Sequence, residues 1–581
     1  MSQEPRFVWR NSYIGITVAA VSVALISMLA AIYFRGNPAE AYKQCQELVD
    51  AQKYEESLKV CESASISATK GFNALINKAT ALNNLNRYEE GLATYDRAIQ
   101  LNPNSPEALA GKGDTLFNLK RYEEALTTYE DAIAIQADYT YAWIGKGNTL
   151  LNLKRYEPAL MAYEKATEIS PDDPSSWIAR GYGLAELNRW DGALTSFEKA
   201  LEINPDDAEA WIGRGGVLSS LKRYDAALAS YEKAIKLDPS LSSALVGKSE
   251  VLRNLQRPKD ALVVCQQALA ADANNPETKL CEGDALFALG RYEDSLAAYE
   301  AILQLDAENS TAWEGKGLVL AKQKRYETAI AAYDKALALD PDSPSTWVVL
   351  YNRAEALNFL QRYPEAITAV DRALKIGPTT GVAYNDVWFV RGNALAGLQR
   401  YQEAITNYDK AIKIKPDFEA AWNSKGNALI KLKQYQSAIS AYDSALKINP
   451  TYFYALSGKG DALVQLRQYG QAIDVYSQAL KVPTSSQYPT LDAQKYAVWN
   501  SRGNAFYQLK KYQEAISDYE QAVALKPDFA DAHFNKGKAL VALEQYGEAI
   551  AAFDRAIAIQ PDYPGAAIAK QQANQKLGSK P

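Results

Sequence analysis

The chain has 581 residues, of which 48% are hydrophobic and 23% charged, a composition typical of folded proteins rather than disordered ones. Its 63 basic residues nearly balance its 69 acidic ones, so the net charge of −6 gives no support to nucleic-acid binding. The only histidine is His533, which excludes metal sites built on two histidines and argues against a histidine-based catalytic triad. We therefore expect no enzyme activity, no metal and no other cofactor.

The first predicted element is an apolar helix at residues 13–34, which follows a short flank at residues 1–12. The apolar segment has 22 residues and no charge. A helix of that length spans about 33 Å, enough to cross the roughly 30 Å hydrocarbon core of a bilayer. Aromatic residues of the kind found at membrane interfaces stand at both ends: Trp9, Tyr13, Tyr33 and Phe34. A cleaved signal peptide, the alternative, would be shorter and followed by a small-x-small site, so the segment predicts an uncleaved anchor.

From residue 38 the sequence repeats itself with a period of 34 residues, interrupted by three longer intervals of 37, 38 and 43 residues. A Lys/Arg/Gln-Arg-Tyr-Glu-x-Ala string recurs, and we number its aromatic residue as repeat position 17. That position is occupied by Tyr54, Tyr88, Tyr122, Tyr156, Trp190, Tyr224, Pro258, Tyr292, Tyr326, Tyr363, Tyr401, Tyr435, Tyr469, Tyr512 and Tyr546. Fifteen copies span residues 38–563. We expect no room for a separate catalytic domain.

Each copy predicts two helices joined by a short turn. In the copy that begins at Ala208, one helical face of the first helix is apolar or small: Ala208, Trp211, Gly215 and Leu218. Position 8 is glycine in eleven copies, although glycine within a helix costs about 1 kcal/mol. This predicts a close approach between the two helices, with the alanine at position 20 as the partner of the glycine and the aromatic residue at position 24 packed against the next hairpin. Residues 564–581 predict a capping helix and tail.

The pattern Trp-x2-(Lys/Arg)-Gly-x2-Leu…Tyr-x2-Ala-x3-Tyr-x2-Ala…Pro resembles the tetratricopeptide repeat family over about nine-tenths of the chain. The resemblance implies an all-α fold, an α-solenoid in which hairpins stack into a right-handed superhelix. It also implies that positions 2, 5, 9, 12 and 13 of each first helix line a concave groove for proteins or extended peptide segments. Chaperone-binding members hold a terminal carboxylate with lysine at position 5. Lysine never occurs at that position in this chain, so no chaperone carboxylate clamp is expected.

Four cysteines form two pairs, Cys45 with Cys61 and Cys265 with Cys281, and each pair is separated by sixteen residues. None forms a CxxC motif, which argues against a metal site or redox catalysis. Both pairs lie on helices that are predicted to pack together, so both are possible disulfides. The alternative is that they are buried thiols used as small hydrophobic side chains. Disulfides would favour the extracytoplasmic side of the membrane, a periplasm or lumen, for the array, with the cytoplasmic side as the other option.

Two further features of the repeats are basic residues at position 7 and longer intervals between some copies. Position 7 is Lys or Arg in thirteen copies, which predicts either a basic surface for an acidic ligand or ion pairs with the acidic residues of the second helices. We favour the ion pairs because the chain is nearly neutral. The three longer intervals predict insertions between hairpins, of which the first, before Arg353, would lengthen a first helix by about a turn.

The groove positions predict two different surfaces. Copies four to seven offer an apolar stretch that contains Tyr141, Ile144, Ile178, Ile212 and Val246. Copies eleven to fourteen offer polar side chains: Asn393, Asn423, Asn427, Asp461, Asn500 and Asn504. Asparagine carries donors and an acceptor that match the N–H and C=O groups of an extended peptide. The polar row resembles the asparagine-lined groove of the repeat arm in O-linked N-acetylglucosamine transferases, and a merely solvated inner face is the alternative.

These features together favour a single-pass membrane protein that acts as a scaffold or adaptor. Its groove is expected to bind protein partners, and no residue is expected to carry out chemistry. The alternative function is an accessory subunit that positions a carbohydrate, cell-wall or lipid-linked substrate for a partner enzyme.

Overall fold

The computed structural model describes residues 38–64, 71–343, 345–377, 384–483 and 491–578, and the anchor predicted at residues 13–34 lies outside them. All regular secondary structure in these ranges is α-helical. None of the helices in this described part combines the length and the apolar character needed to cross a bilayer. The chain divides into two compact units, of which the first ends at Ile302 and the second begins at Leu303.

The described helices form fifteen hairpins and one terminal helix, numbered so that each odd-numbered helix is the first of its hairpin. Hairpins one to eight comprise α1 (Pro38–Asp50), α2 (Tyr54–Ala64), α3 (Gly71–Asn84), α4 (Tyr88–Leu101), α5 (Pro106–Asn118), α6 (Tyr122–Ile135), α7 (Thr140–Asn152), α8 (Tyr156–Ile169), α9 (Pro174–Glu186), α10 (Trp190–Ile203), α11 (Ala208–Ser220), α12 (Tyr224–Leu237), α13 (Ser242–Asn254), α14 (Pro258–Ala271), α15 (Pro276–Ala288) and α16 (Tyr292–Leu305). Hairpins nine to fifteen comprise α17 (Ser310–Lys322), α18 (Tyr326–Leu339), α19 (Thr346–Phe359), α20 (Tyr363–Ile376), α21 (Tyr384–Gly397), α22 (Tyr401–Ile414), α23 (Glu419–Lys431), α24 (Tyr435–Ile448), α25 (Phe453–Gln465), α26 (Tyr469–Lys481), α27 (Leu491–Gln508), α28 (Tyr512–Leu525), α29 (Ala530–Ala542) and α30 (Tyr546–Ile559), and α31 (Ala566–Gly578) follows them. The predicted all-α array of helical hairpins is confirmed.

Each described hairpin turns through one residue with positive φ at repeat position 15. Fourteen of these residues are not glycine and have φ between 56° and 62°, whereas hairpin eight uses Gly290. In hairpin three, the N–H of Lys120 donates to the C=O of Phe117, and the N–H of Arg121 donates to the C=O of Leu116, both at 2.9 Å. This pair of hydrogen bonds is the usual closure of a helix that ends in a left-handed residue. An L-residue in this conformation costs about 1 kcal/mol, which the hydrogen bonds and the packing of both helices offset.

In several hairpins the side chain at repeat position 4 makes a hydrogen bond to the link from the preceding hairpin. The indole Nε1 of a tryptophan at this position donates to the carbonyl oxygen six residues earlier, for example from Trp211 to Pro205 at 2.8 Å. The lone histidine occupies the same position in hairpin fifteen, where Nε2 of His533 lies 3.1 Å from the carbonyl oxygen of Pro527. His533 thus takes the structural place of a tryptophan.

The aromatic ring at repeat position 24 is central to the core of a hairpin. The Tyr442 ring is 1% exposed and lies between Gly426, at position 8 of its own hairpin, and Gly458, at position 6 of the next. A Cβ atom at Gly426 would lie 2.5 Å from the ring, and one at Gly458 would lie 2.6 Å from it. The glycine at position 8 therefore receives the ring. Position 20 lies against position 8 as predicted, since in hairpin eight the hydroxyl of Ser295 donates to the carbonyl oxygen of Gly283 at 2.7 Å.

The insertions and the end of the chain modify this plan only locally. Helix α19 has fourteen residues, so the insertion before Arg353 does not add the predicted turn. The last insertion lies partly in α27, which has eighteen residues. Terminal helix α31 buries Ala566 and Ala573, and Ala573 joins the core of the last hairpin. It therefore covers part of an apolar surface that the array would otherwise leave exposed.

Candidate interaction surface

The predicted polar surface of the second unit is built around tyrosine hydroxyl groups. In each of four successive hairpins, the tyrosine at position 24 donates to the side chain at position 9 of the same hairpin. The Oη–Oδ1 distances are 3.0 Å for Tyr408–Asn393, 2.7 Å for Tyr442–Asn427, 2.6 Å for Tyr476–Asp461 and 2.8 Å for Tyr519–Asn504. A buried hydroxyl needs a hydrogen-bond partner. These four side chains therefore have a structural role, which is to accept a hydrogen bond from a tyrosine of the core.

The same hydrogen bonds orient what the four side chains offer to a partner. Because the oxygen of each asparagine faces the tyrosine, the amide NH2 points away from the ring. No protein acceptor is hydrogen-bonded to the side-chain nitrogens of Asn393, Asn427 or Asn504 in the part of the chain that the structure describes. Asn427 and Asp461 are exposed, and Asn393 and Asn504 are partly exposed. The row therefore presents three amide donors and one carboxylate.

The two remaining asparagines of the prediction lie deeper, at repeat position 5. Asn500 is 9% exposed, and its Oδ1 accepts a hydrogen bond of 3.1 Å from Nδ2 of Asn535 in the next hairpin. Asn423 is 7% exposed, and its Oδ1 has no hydrogen-bond partner among the described residues. An unpaired buried carbonyl costs about 1–3 kcal/mol. Asn500 therefore serves the contact between hairpins, and Asn423 keeps a buried acceptor for which the described residues supply no donor.

The apolar stretch predicted in the first unit is mostly part of the core. Ile178 is 6% exposed and packs with Leu184 and Phe197, so it does not face a partner as predicted. Ile144 and Ile212 are partly buried against the cores of neighbouring hairpins. Position 5 is apolar in these copies because it packs between hairpins.

Tyr141 is the exposed member of that stretch, with 51% of its surface accessible. Its hydroxyl donates to Oδ2 of Asp114 at 2.7 Å, and the hydroxyl of Tyr129 donates to Oδ1 at 2.6 Å. Burial raises the pKa of Asp114 to about 6, although both hydrogen bonds lower it. Hairpin three thus carries an acid at position 9, where hairpins eleven, twelve and fourteen carry asparagine.

Most of the basic residues at position 7 form ion pairs with acids at position 25 of the preceding hairpin, as favoured from the sequence, whereas Arg502 pairs with Asp518 of its own hairpin at 2.8 Å. Nζ of Lys425 lies 2.6 Å from Asp409, and Nζ of Lys459 lies 2.7 Å from Asp443. The other members are Lys78–Glu62, Lys112–Asp96, Lys146–Glu130, Arg180–Glu164, Arg214–Glu198, Lys248–Glu232, Arg353–Asp334, Arg391–Asp371, Lys536–Glu520 and, on the terminal helix, Lys570–Asp554. These cations are compensated within the array and are not offered as a row to an acidic ligand.

Both cysteine pairs are disulfide-bonded. Cys61 and Cys265 occupy position 24, where other hairpins carry the aromatic ring. Cys45 occupies position 8 of the same hairpin and Cys281 position 6 of the next, which are the two positions where glycine receives the ring. Both separations of sixteen residues thus follow from the two contacts of the ring. Two disulfides favour an oxidising compartment.

The hydrogen bond between positions 24 and 9 was not predicted from the sequence, although the chain contains a signal for it. Where position 24 is tyrosine, position 9 is usually Asp, Asn or Thr. Where it is phenylalanine, no acceptor is needed, and Phe197 is accompanied by Tyr182 and Phe553 by Lys538. Tyr333 departs from the rule because Leu318 occupies position 9, and its buried hydroxyl has no hydrogen-bond partner among the described residues.

The contacts described above define a repeat protein whose hairpins share one core arrangement. The chain belongs to the tetratricopeptide repeat family. One model of this family matches residues 42–106, 76–140, 178–242, 222–276, 281–344 and 457–521. Related models of the same repeat match residues 392–433 and 503–543, then 140–173, 419–452 and 530–563, and finally 320–385. Proteins of this family are scaffolds that mediate protein–protein interactions and are typically not enzymes.

Solved structures give similar matches at low identity. The APC/C hetero-tetramer Cut9–Hcn1 is 17% identical, with 81% of this chain and 96% of that chain covered and a TM-score of 0.46. Naa15/Naa10 bound to HypK is 13% identical, with 93% and 96% covered and a TM-score of 0.36. Yeast Tom70 is 16% identical, with 76% and 96% covered and a TM-score of 0.35. No curated protein sequence matches the chain.

Proposed function

We propose that this chain is a membrane-anchored scaffold that binds an extended protein segment along the first helices of hairpins eleven to fourteen. The row of tyrosine-oriented side chains supports this proposal most directly. Asn393, Asn427 and Asn504, in hairpins eleven, twelve and fourteen, offer N–H donors that have no acceptor among the described residues. An extended backbone exposes carbonyl groups at regular intervals, which such donors match.

Two further groups define the partner. The buried Oδ1 of Asn423 is an acceptor without a donor among the described residues, and a backbone N–H group would reach it once the surrounding side chains move aside. Asp461 interrupts the amide row with an exposed carboxylate in hairpin thirteen. The segment therefore carries a hydrogen-bond donor or a positive charge opposite Asp461.

The test replaces donors without disturbing the core. In the double variant N427D/N504D, each new carboxylate still accepts a hydrogen bond from the hydroxyl of its tyrosine, but these two positions lose their amide NH2 groups. Random extended peptides would be selected on the full-length wild-type chain and then measured against the variants. We expect binding to fall at least about tenfold, since two hydrogen bonds are lost.

The matched control is Asn148→Asp in the first unit, where Tyr163 donates to Asn148 in the same way at 2.7 Å. This variant should leave the affinity of the peptides unchanged. Equal affinity of N427D/N504D and the wild type would move the binding surface elsewhere on the array.

The membrane anchor is tested separately. Extraction of membranes with alkaline carbonate should leave the full-length chain in the pellet and release a variant that lacks residues 1–35. Release of the full-length chain would contradict the anchor. The sidedness follows from alkylation without reductant, which should leave all four sulfurs unmodified if the array lies in an oxidising compartment.

A further inference from the structure

Two kinds of contact hold successive hairpins of this array together. The first is the ring at position 24, which packs against position 6 of the next hairpin, as Tyr231 does against Gly247. The second is the ion pair between positions 25 and 7, as between Glu232 and Lys248 at 2.9 Å. Both are present between hairpins six and seven.

Between hairpins seven and eight both contacts are replaced. The disulfide Cys265–Cys281 stands where the ring would meet its glycine. Gln266 and Glu282 stand where the acid and the base would pair, and no ion pair joins them. The covalent bond therefore stands in place of the ring contact, and the ion pair has no replacement.

Other hairpin contacts described within each unit lose at most one of the two. Val370 replaces the ring in hairpin ten, but Asp371 still pairs with Arg391 at 2.7 Å. Cys61 replaces the ring in hairpin one, but Glu62 still pairs with Lys78 at 3.0 Å. The contact between α14 and α15 is the one described within a unit that lacks both.

Besides the disulfide, hairpins seven and eight are joined by aliphatic packing and by an ion pair between their first helices. The surrounding core is aliphatic, with Leu245, Leu252 and Val264 among its buried members and no buried aromatic ring. Arg253 of α13 pairs with Asp284 of α15 at 3.1 Å, so the first helices keep a charged contact of their own. If the disulfide were absent, α14 could separate from α15 while this ion pair still joined the first helices.

We propose that the contact between α14 and α15 is a redox-dependent joint, closed by the Cys265–Cys281 disulfide and open when both sulfurs are thiols. Closure transfers two electrons and two protons from the thiols to a protein disulfide oxidant, which becomes a dithiol, and a dithiol reductant reverses the step. The sulfurs of the closed joint are buried, with Cys265 0% and Cys281 5% exposed. Oxidation therefore occurs while hairpins seven and eight are apart, and reduction of the closed joint requires a transient opening of the core around the disulfide.

Hydrogen exchange on the full-length chain tests the proposal. We expect the inner amides of α14 and α15 to exchange about a hundredfold faster in reduced wild type and in C265A/C281A than in oxidised wild type. The amides of α11 and α12 should not change. The control variant C45A/C61A removes the other disulfide, which lies within one hairpin, and should leave α14 and α15 unaffected. Equal acceleration in all hairpins, no acceleration, or loss of helical circular dichroism throughout would overturn a local joint.

A rescue variant separates the joint from a general effect of the disulfide. Q266E/E282K restores the acid and the base that the other contacts carry. It should slow the exchange of α14 and α15 in the reduced state by about threefold to tenfold relative to reduced wild type. Q266E alone places two acids opposite each other and should give no such recovery. Equal exchange in Q266E/E282K and Q266E would overturn the proposed role of the missing ion pair.

Discussion

The Tyr442 ring and the Cys265–Cys281 disulfide occupy the same place in the repeat, between one hairpin and the next, but they make different contacts there. The Tyr442 ring lies between two glycines, Gly426 and Gly458, and its hydroxyl donates to Asn427. The disulfide needs neither glycine nor acceptor, and position 9 of its hairpin is Glu250. The comparison teaches that the side chain at position 9, which lies on the predicted binding surface, depends on what the core holds at position 24.

The largest change in stability is expected from a substitution that makes a side chain collide with the ring at position 24. Gly426→Ala would place a Cβ atom 2.5 Å from the Tyr442 ring, which cannot move away because Gly458 lies on its other side. We expect the free energy of unfolding of this region to fall by about 1–3 kcal/mol, measured as a lower urea midpoint. Gly470→Ala is the matched control, since a Cβ atom there meets no other atom within 4 Å. It should raise stability by about 0.5–1 kcal/mol, and a loss as large as that of Gly426→Ala would contradict the steric explanation.

The fold was predictable from the sequence because the chain repeats the same apolar pattern fifteen times, once in each hairpin. The side-chain contacts within the hairpins were harder to predict. Glycine at position 8 indicates a close approach of the helices, but periodicity does not tell which side chain fills the remaining space, and the ring of Tyr442 lies against Gly426. Ile178 was assigned to the surface because burial at position 5 depends on the neighbouring hairpins. The pairing of Tyr442 with Asn427 could have been found by comparing positions 9 and 24 across the copies.

An intermediate effect is expected where the acceptor of a tyrosine is charged. Asp114 has a pKa of about 6, above its usual value near 3.8, because burial disfavours its carboxylate. The folded state therefore binds a proton that the unfolded state has lost between about pH 4 and pH 6, so stability falls as pH rises through this range. Asp114→Asn keeps an acceptor for Tyr129 and removes the charge. It should stabilise the first unit by about 1–2 kcal/mol at pH 7 and have little effect at pH 4. A difference between variant and wild type that does not change with pH would exclude this explanation.

The smallest expected effect is a change in stability that has opposite signs at two tyrosines in the same repeat position. The hydroxyl of Tyr442 donates to Asn427, whereas the buried hydroxyl of Tyr333 has no hydrogen-bond partner in the described part of the chain because Leu318 occupies position 9. Tyr442→Phe should therefore destabilise its hairpin by about 1 kcal/mol, and Tyr333→Phe should stabilise its own by a similar amount. Hydrogen exchange of the inner amides of α24 and α18 measures the two effects separately. Leu318→Asn should supply the missing acceptor and make Tyr333→Phe unfavourable, whereas the same sign at both tyrosines without that change would show that position 9 does not serve the hydroxyl.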